Sequence, residues 1–200
     1  MEALRSITYG LYILTAKEGF FDNGCVINTL SQMTSDPLRI SVTVNKQNYT
    51  HDMILNTGLF NVSILSQSAP FSLFQRFGFR SGRTENKVYD CPGISRSDNG
   101  PVYLADWTNA MLSGKVVQTV DLGSHTVFIA EVTESKVLSS QPSMSYSYYH
   151  ANVKPKPEQK ATEKKGWRCR ICGYVHEEEE LPADFVCPWC KHGPEDFERL

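Results

Sequence analysis

Four cysteines near the C-terminal end have the types and spacing to bind a metal ion. Cys169 and Cys172 form one C-x2-C pair, and Cys187 and Cys190 form a second pair fourteen residues later. Each pair can place two thiolates on one ion from a tight turn, so two pairs complete a tetrahedral four-sulfur site. Four thiolates suit zinc and iron equally. The spacing therefore predicts one metal ion on these four cysteines, with its identity open.

The alternative for the four cysteines is a pair of disulfides, or four unrelated thiols. The start of the chain, MEALR, lacks the charged and apolar regions of a secretory signal, so we expect a reducing, cytoplasmic setting. The cysteine-rich segment is also too short to fold on apolar burial alone. Both arguments favour a metal. The other two cysteines, Cys25 and Cys91, are interpreted as buried or inert thiols.

Composition narrows the class of protein. The chain has 200 residues, a formal net charge of −2 and 40% hydrophobic residues, close to an ordinary globular composition. It contains no run of 18 or more apolar residues, which argues against a membrane span. Its charge balance argues against nucleic acid as the main partner. One or two domains fit this length.

The chain divides into three segments. Residues 1–150 are predicted to form a folded domain. Residues 151–165, ANVKPKPEQKATEKK, carry five Lys and two Lys-Pro steps and are predicted to be a linker with an r.m.s. span of roughly 20 Å, or alternatively an exposed helix. Residues 166–200 form the cysteine-rich tail, with four Arg or Lys against eight Asp or Glu. Its acidic run, residues 177–180, is either an ordinary solvent-exposed surface or a surface that attracts a basic partner electrostatically.

The large segment is predicted to be mainly β, as an antiparallel barrel or sandwich. Strands are predicted at 38–44, where apolar residues alternate, and at 59–65 and 125–132. Asp22-Asn23-Gly24 predicts a turn between two further strands, 11–15 and 25–29. Two short helices are predicted, one capped by Thr50 and one following Pro70.

The large segment has no G-x-G-x-x-G, Walker or G-x-S-x-G motif, so any nucleotide must be held without a Rossmann loop. Three polar loops are candidates: residues 28–32, 45–50 and 80–87. The second ends where a helix should begin, which is a natural phosphate position. The third combines Arg80, Arg83 and Lys87 with a glycine, which suits a phosphate clamp.

The tail resembles a rubredoxin, most of all the short-spacing version attached to rubrerythrins. The resemblance lies in CRICGY at 169–174, the acidic loop through LPADF at 181–185, and CPWC at 187–190. It implies an Fe(Cys)4 centre, with a turn at Gly173 that directs amide groups to sulfur. Trp167, Tyr174, Phe185 and Trp189 are expected to form the miniature core. The short loop between the pairs keeps a structural zinc ribbon as the alternative.

The large segment resembles the flavin reductase-like FMN-binding split-barrel family. Five pieces occur in family order: ALRSITYGLYILTA (3–16), NTLSQMTSDP (28–37), NKQNYTHDMI (45–54), FGFRSGRTENK (77–87) and GSHTVFIAEV (123–132). The resemblance implies a Greek-key split β-barrel with a few short helices. It also implies that FMN is the cofactor, with NADH or NADPH as electron donor, and that the barrel forms a homodimer.

The same resemblance implies site residues. The isoalloxazine ring would be lined by Asn28, Thr29, Ser31 and Gln32. The ribityl chain and phosphate would be held by Asn45, Lys46, Tyr49 and Thr50. The phosphate would be closed over by Ser81, Gly82, Arg83 and Lys87. His125 would lie near the flavin, where family members receive the nicotinamide, although Ser124 stands where many members have an acidic residue.

A flavin domain joined to a rubredoxin resembles the high-molecular-weight rubredoxins of anaerobic bacteria. The pairing implies hydride transfer from NAD(P)H to FMN, then single electrons to the iron, then delivery to a partner such as a flavodiiron protein that reduces O2 or nitric oxide. Two alternatives remain open. One is a free-flavin reductase that feeds a monooxygenase and carries a zinc-ribbon tail, and the other is a non-enzymatic flavin redox sensor.

Overall fold

A computed structural model describes residues 2–155 and 166–200 of the chain. The chain separates into two compact units, Met1–Lys154 and Pro155–Leu200. Most of the predicted linker, residues 156–165, lies outside the described residues. Its first residues belong to unit 1, because Tyr149–Val153 forms a helical turn and Val153 packs against the apolar core there.

Unit 1 is mainly β, as predicted. Its strands are β1 (Tyr12–Glu18), β2 (Phe21–Ile27), β3 (Leu30–Ser35), β4 (Leu38–Asn45), β5 (Leu59–Leu65), β6 (Ile94–Arg96), β7 (Val102–Leu104), β8 (Thr108–Asp121) and β9 (His125–Val137). Its helices are a 3-10 turn (Glu2–Ser6), α1 (Tyr49–Thr57), α2 (Phe71–Gly78) and a short α3 (Tyr146–Tyr148) that continues into the turn at Tyr149–Val153.

Seven strands form one antiparallel sheet in the order β2-β1-β5-β8-β9-β4-β3. The two edge strands, β2 and β3, follow each other in the chain with only Asn28 and Thr29 between them. A link of this length spans about 10 Å at most. The sheet must therefore curl until its edges meet, which makes it a barrel. The Thr29 hydroxyl stabilises this corner by donating to the Thr43 carbonyl at 2.7 Å.

Strand β1 is covered on both faces, which explains its continuous apolar run. Leu14 and Ala16 face the barrel interior, together with Val42, Phe60 and Phe128. Leu11 and Ile13 face a second apolar cluster, which contains α2 and Tyr149. Helix α1 packs on the barrel through Met53 and Ile54. One cluster therefore fills the barrel, and the other fixes α2 and the C-terminal turns to its outside.

The turn predicted at Asp22-Asn23-Gly24 is wrong. These residues lie within β2, where Asn23 pairs with Ala16, and the chain reverses instead at Gly19 and Phe20. Gly19 has a φ of +58°, which glycine adopts without strain. Gly24 serves close packing, since a Cβ there would lie 2.8 Å from the Leu14 carbonyl oxygen.

The two helices form where predicted, but Thr50 is not a cap. Asn48 occupies the N-cap of α1, and Thr50 lies inside the first turn with its side chain buried. Pro70 precedes α2 as expected. The longest α-helix among the described residues has nine residues, whereas a bilayer span needs about 20. No described helix could therefore cross a membrane.

Unit 2 is a small three-stranded sheet in the order β11-β10-β12. Its elements are β10 (Trp167–Cys169), β11 (Val175–His176), a 3-10 turn (Pro194–Asp196) and β12 (Phe197–Arg199). Its apolar core contains Trp167, Tyr174 and Phe185, as predicted. The fourth expected member, Trp189, is 47% exposed, and the missed residue Phe197 is buried instead. β12 places Phe197 opposite Cys169, which the spacing of the cysteines does not reveal.

Candidate functional site

The four predicted metal ligands meet in unit 2. The sulfur atoms of Cys169, Cys172, Cys187 and Cys190 all lie within 4.8 Å of one another. The closest contacts join the two pairs: Cys169 to Cys190 at 3.5 Å and Cys172 to Cys187 at 3.4 Å. A tetrahedral ion with metal–sulfur bonds of about 2.3 Å separates its sulfurs by roughly 3.8 Å. The cluster therefore has the dimensions of a single-ion site.

The two C-x2-C turns have the same backbone geometry. The amide of Gly173 donates to the Cys169 carbonyl at 2.8 Å, and the amide of Lys191 donates to the Cys187 carbonyl at 2.9 Å. Gly173 and Lys191 both have positive φ, +81° and +61°. Glycine adopts this conformation freely, while lysine adopts it at some cost. Two matched turns thus present four sulfurs to one point.

Backbone amides point at the sulfurs. Burial raises the pKa of the Cys169 thiol, but hydrogen bonds from the amides of Cys172 and Ile171 outweigh this and bring its pKa below the ordinary value. Burial raises the pKa of Cys172 to about 11 and also raises that of Cys190, although each accepts an amide hydrogen bond. Four thiolates at one point require a cation, and amide donors stabilise the negative charge of a metal–thiolate centre. The residues fit a metal.

A second candidate site is a cleft of about 440 Å³ in unit 1. It lies between the start of α1, strand β2 and the loop that follows α2. Its walls are Phe21, Asp22, Asn23, Tyr49, Gly82, Arg83, Thr84, Glu85 and Asn86. Three of the predicted flavin residues, Tyr49, Gly82 and Arg83, therefore meet here. A fourth, Ser81, adjoins them and accepts a hydrogen bond from the Arg83 amide at 3.3 Å.

The start of α1 is suited to an anion. The Asn48 side chain makes no capping hydrogen bond to the helix, although it occupies the N-cap. The first amides of a helix have no partner within it and carry partial positive charge. The Arg83 guanidinium lies 5.7 Å from the centre of the Tyr49 ring, and its side chain is 48% exposed. A helix start and a guanidinium thus flank one cleft, which fits a phosphate group.

Two of the predicted phosphate residues are buried away from solvent. Lys87 is 5% exposed, and its ammonium donates to the carbonyls of Phe77 and Arg80 at 3.0 and 3.2 Å. It therefore ties the end of α2 to the loop, and burial lowers its pKa. Thr50 is buried beside Cys25, whose pKa burial raises to about 11. The structure gives both residues packing roles.

The remaining predicted residues lie on the barrel outside the walls of the cleft. Asn28 and Thr29 form the corner between β2 and β3, while Ser31 and Gln32 are exposed on edge strand β3. Asn45 pairs with His125 across β4 and β9. The Lys46 ammonium contacts the Asp121 carboxylate at 2.7 Å, and the His125 Nδ1 lies 2.9 Å from the Ser124 hydroxyl.

A hydrogen-bonded chain with one end buried in the barrel and the other at the surface was not predicted from the sequence. His51, on α1, has its Nε2 2.9 Å from the Thr126 hydroxyl and its Nδ1 2.9 Å from Asp52. The other oxygen of Asp52 accepts from Arg83 at 2.7 Å. Burial raises the pKa of Asp52, but bonds from His51 and Arg83 outweigh it, so the pKa lies below its usual range. The chain runs from β9 to the cleft.

Asn23 is a further site residue that the sequence did not predict, because its polarity was interpreted as a turn signal. Its side-chain amide donates to the carbonyls of Gly82 and Glu85 at 3.0 and 3.2 Å. Its oxygen accepts from the Gly24 amide at 2.8 Å. Asn23 therefore ties the loop after α2 to the barrel, and it forms one wall of the cleft.

We expect Asn23→Ala to release this loop. Two carbonyls lose their donor, which costs about 1–3 kcal/mol locally. Hydrogen exchange should become faster at residues 80–87, while exchange in β4 and β9 should not change. Asn99→Ala is the control, since Asn99 donates to the Phe60 carbonyl and is not one of the residues that line the cleft. Unchanged exchange at 80–87 in Asn23→Ala would show that Asn23 does not hold the loop.

Comparison with known proteins agrees with both sites. Residues 4–156 match the family model described as "Flavin reductase like domain", and residues 167–198 match "Rubrerythrin, rubredoxin-like domain". The chain belongs to the flavin reductase-like family. It carries a rubredoxin-like domain at its C-terminal end. The mainly β fold, a flavin cofactor and a rubredoxin-type metal site are thereby confirmed at the level of the family.

Two curated relatives of this flavin reductase-like chain are informative. It is 38% identical to the "High molecular weight rubredoxin" of Moorella thermoacetica, covering 100% of this chain and 99% of the relative. It is 35% identical to the "Ferric-chelate reductase (NAD(P)H)" of Archaeoglobus fulgidus, covering 81% and 95%. The predicted resemblance to high-molecular-weight rubredoxins is confirmed, and the chain is an oxidoreductase.

Solved structures support the fold. The NADH:FAD oxidoreductase SgcE6 of Streptomyces globisporus superposes with a TM-score of 0.63 at 18% identity, covering 72% of this chain and 84% of that one. At this identity the likeness shows that the flavin reductase-like fold is shared.

Proposed function

We propose that this protein transfers electrons from NAD(P)H, through a bound FMN and an Fe(Cys)4 centre, to a one-electron acceptor. Flavins accept a hydride and release electrons singly, whereas one iron carries a single electron. The observation that carries the proposal is that one chain contains both the cleft beside α1 and the four-sulfur cluster of unit 2. Together they would convert a two-electron donor into a one-electron supply.

The phosphate of FMN is proposed to bind at the start of α1. The uncapped helix start and Arg83 supply the positive potential there, with Tyr49, Ser81 and Gly82 beside them. The isoalloxazine ring is proposed to extend towards Asn28, Thr29, Ser31 and Gln32. Asn45 and Lys46 would contact the ribityl chain, and Thr50 and Lys87 would support this site from the core.

His125 is proposed to lie beside the nicotinamide of NAD(P)H. Strand β9 places it next to Asn45 at one end of the barrel, half-buried and within hydrogen-bond distance of Ser124. At this position it would orient the donor by a hydrogen bond.

The proposed partners are a second copy of the chain and a flavodiiron O2 or NO reductase as terminal acceptor. Support for a dimer comes from apolar side chains exposed on or beside strands β3, β4 and β8, where β4 and β8 are the two strands that flank β9: Met33, Leu38, Val117, Val120 and Leu122. A reducing, cytoplasmic setting is part of the proposal, since all six cysteines are free thiols and four of them serve as ligands.

Anaerobic titration with NADH tests the route. Flavin takes two electrons and iron takes one, so full reduction should consume about 1.5 equivalents of NADH per chain. The visible spectrum should report both centres, and a parallel titration with NADPH shows the preferred donor. The same sample in sedimentation velocity tests the dimer. Reduction that stops at about one equivalent, with the iron still ferric, would overturn the proposed route to the metal.

A second candidate activity is the direct reduction of ferric chelates by the flavin. It is favoured by the 35% identity to the Archaeoglobus fulgidus ferric-chelate reductase, a match that covers 81% of this chain. In that case ferric reduction would not need the metal of unit 2. A free-flavin reductase differs from both candidates, because its flavin would leave the protein during gel filtration.

A further inference from the structure

The inference concerns the hydrogen-bonded chain Thr126–His51–Asp52–Arg83, and it rests on the proposed function. We propose that Asp52, oriented by His51, is a positioning residue that holds the Arg83 guanidinium ready for the flavin phosphate. None of the three residues beyond Arg83 was among the predicted ligands. Asp52, His51 and Thr126 would therefore orient Arg83 from behind, without contacting the cofactor themselves.

Arg83 needs such a support. It lies on the loop after α2, its side chain is about half exposed, and Asp52 is the carboxylate that it contacts. A free arginine side chain samples many rotamers, and a ligand that binds it must restrict them. The bond of 2.7 Å to Asp52 restricts them beforehand. A guanidinium has five N–H donors, so donors remain for a ligand in the cleft.

Asp52 is itself held in place from inside the protein. Its Oδ1 lies 2.9 Å from the His51 Nδ1, while its Oδ2 accepts from Arg83. The His51 ring is 4% exposed, packs 5.5 Å from the Phe128 ring, and has its second nitrogen 2.9 Å from the Thr126 hydroxyl. Both ring nitrogens therefore have partners, and the ring has no free rotation. Thr126 is buried in β9, so the chain ends on the rigid barrel.

The position of Asp52 near the cleft also suggests an opposite role, in which its negative charge disfavours phosphate binding. A carboxylate near a bound phosphate repels it, so an Asp52 without a positioning role would weaken phosphate binding. Its removal would then tighten the binding of FMN. The positioning role predicts the opposite sign, because the neutral variant loses the charge and one of the two acceptor oxygens and so holds Arg83 less firmly. The sign of the effect thus separates the two roles.

The experiment compares FMN with riboflavin, which lacks the phosphate, on the full-length chain after flavin removal. Binding is followed by flavin fluorescence. Arg83→Gln should weaken the binding of FMN about 10- to 100-fold and the binding of riboflavin less than about twofold. Asp52→Asn should weaken the binding of FMN about 3- to 10-fold, and the binding of riboflavin should again change less than about twofold. The double variant should bind FMN no more weakly than Arg83→Gln alone, because the two residues act as one unit.

Asp90→Asn is the matched control. Asp90 also pairs with an arginine, Arg76, at 2.9 Å, but it does not line the cleft. Its FMN affinity should equal that of the wild type. A second variant, Thr126→Val, replaces the hydroxyl at the far end of the chain by a methyl group of similar size. It should weaken the binding of FMN and leave the binding of riboflavin unchanged.

Three outcomes overturn the inference. FMN affinity that stays unchanged or rises in Asp52→Asn shows that Asp52 does not prepare Arg83. Equal losses of FMN and riboflavin show a general structural effect. If Arg83→Gln does not weaken FMN, the phosphate lies elsewhere, and the inference fails together with that part of the proposed site. The electron route is judged separately by the NADH titration.

Discussion

Cys187→Ser is expected to abolish iron binding and to unfold unit 2. Cys187 is the fully buried member of the sulfur cluster, and its carbonyl accepts a hydrogen bond from the Lys191 amide in one of the two matched turns. Structural metals in such small domains contribute about 10–16 kcal/mol of apparent folding free energy. The aromatic core of unit 2 is too small to replace that contribution. Metal analysis and the loss of the ferric–thiolate absorption bands would report the change.

The same variant separates the two halves of the proposed electron route. Unit 1 is a compact unit with its own cores, so flavin binding and flavin reduction by NADH should remain. Complete reduction should then require about one equivalent of NADH in place of about 1.5. Delivery to a one-electron protein acceptor should fall to background, whereas ferric chelates that are reduced directly by flavin should still be reduced.

Cys91→Ser is the control for this chemistry, since Cys91 is a free thiol of unit 1. It should retain iron and all electron transfer. Full iron content in Cys187→Ser would contradict the four-cysteine site. Wild-type delivery to the protein acceptor by an iron-free variant would show that the flavin donates to it directly.

Phe128→Ala is expected to have the second large effect, on the stability of unit 1. Phe128 is fully buried in the barrel core and packs against the His51 ring at 5.5 Å. Truncation of a buried phenylalanine to alanine costs about 3–5 kcal/mol, which is a large share of a typical domain stability. For a unit of this size, Tm should fall by roughly 6–20 °C. Urea unfolding, followed by circular dichroism, would measure the loss.

Phe20→Ala makes the same chemical change at a residue that is 100% exposed in the β1–β2 turn. Its stability should stay within about 0.5 kcal/mol of the wild type. Phe128→Ala should also weaken FMN more than riboflavin, since the cavity frees His51 and hence Asp52. A Phe128→Ala protein as stable as Phe20→Ala would mean that the barrel core is not closed around this ring.

Local signals account for what the sequence predicted correctly. Short spacings along the chain predict the cluster of four cysteines, which the structure contains. An apolar run after a glycine predicts the strand at 59–65, which the structure also contains. The turn at Asp22–Gly24 was wrong because the same residue types serve two purposes. Asn23 is polar because it holds a loop nearly 60 residues away, and Gly24 is small because another strand passes close to it.

Long-range contacts account for what the sequence missed. His51 and Thr126 are 75 residues apart, and Asp52 and Arg83 are 31 apart, so no periodicity connects them. Lys87 was predicted to close over the phosphate because it shares a loop with two arginines and a glycine. Only the folded loop shows that its ammonium is surrounded by carbonyl groups. The core of unit 2 contains Phe197 where Trp189 was predicted, and the reason is again a long-range contact. The pairing of β12 with β10 brings Phe197 into this core.

The strand order of the barrel has a consequence for synthesis on the ribosome. The β3–β4 hairpin joins the rest of the sheet only through β9, which ends at Val137. At typical translation rates, about 90 residues take roughly 5–20 s to emerge. During that time β4 exposes an unpaired edge with Ile40, Val42 and Val44, the kind of edge to which other chains add. The β3–β4 hairpin therefore lacks one sheet partner during synthesis until β9 has emerged and pairs with β4.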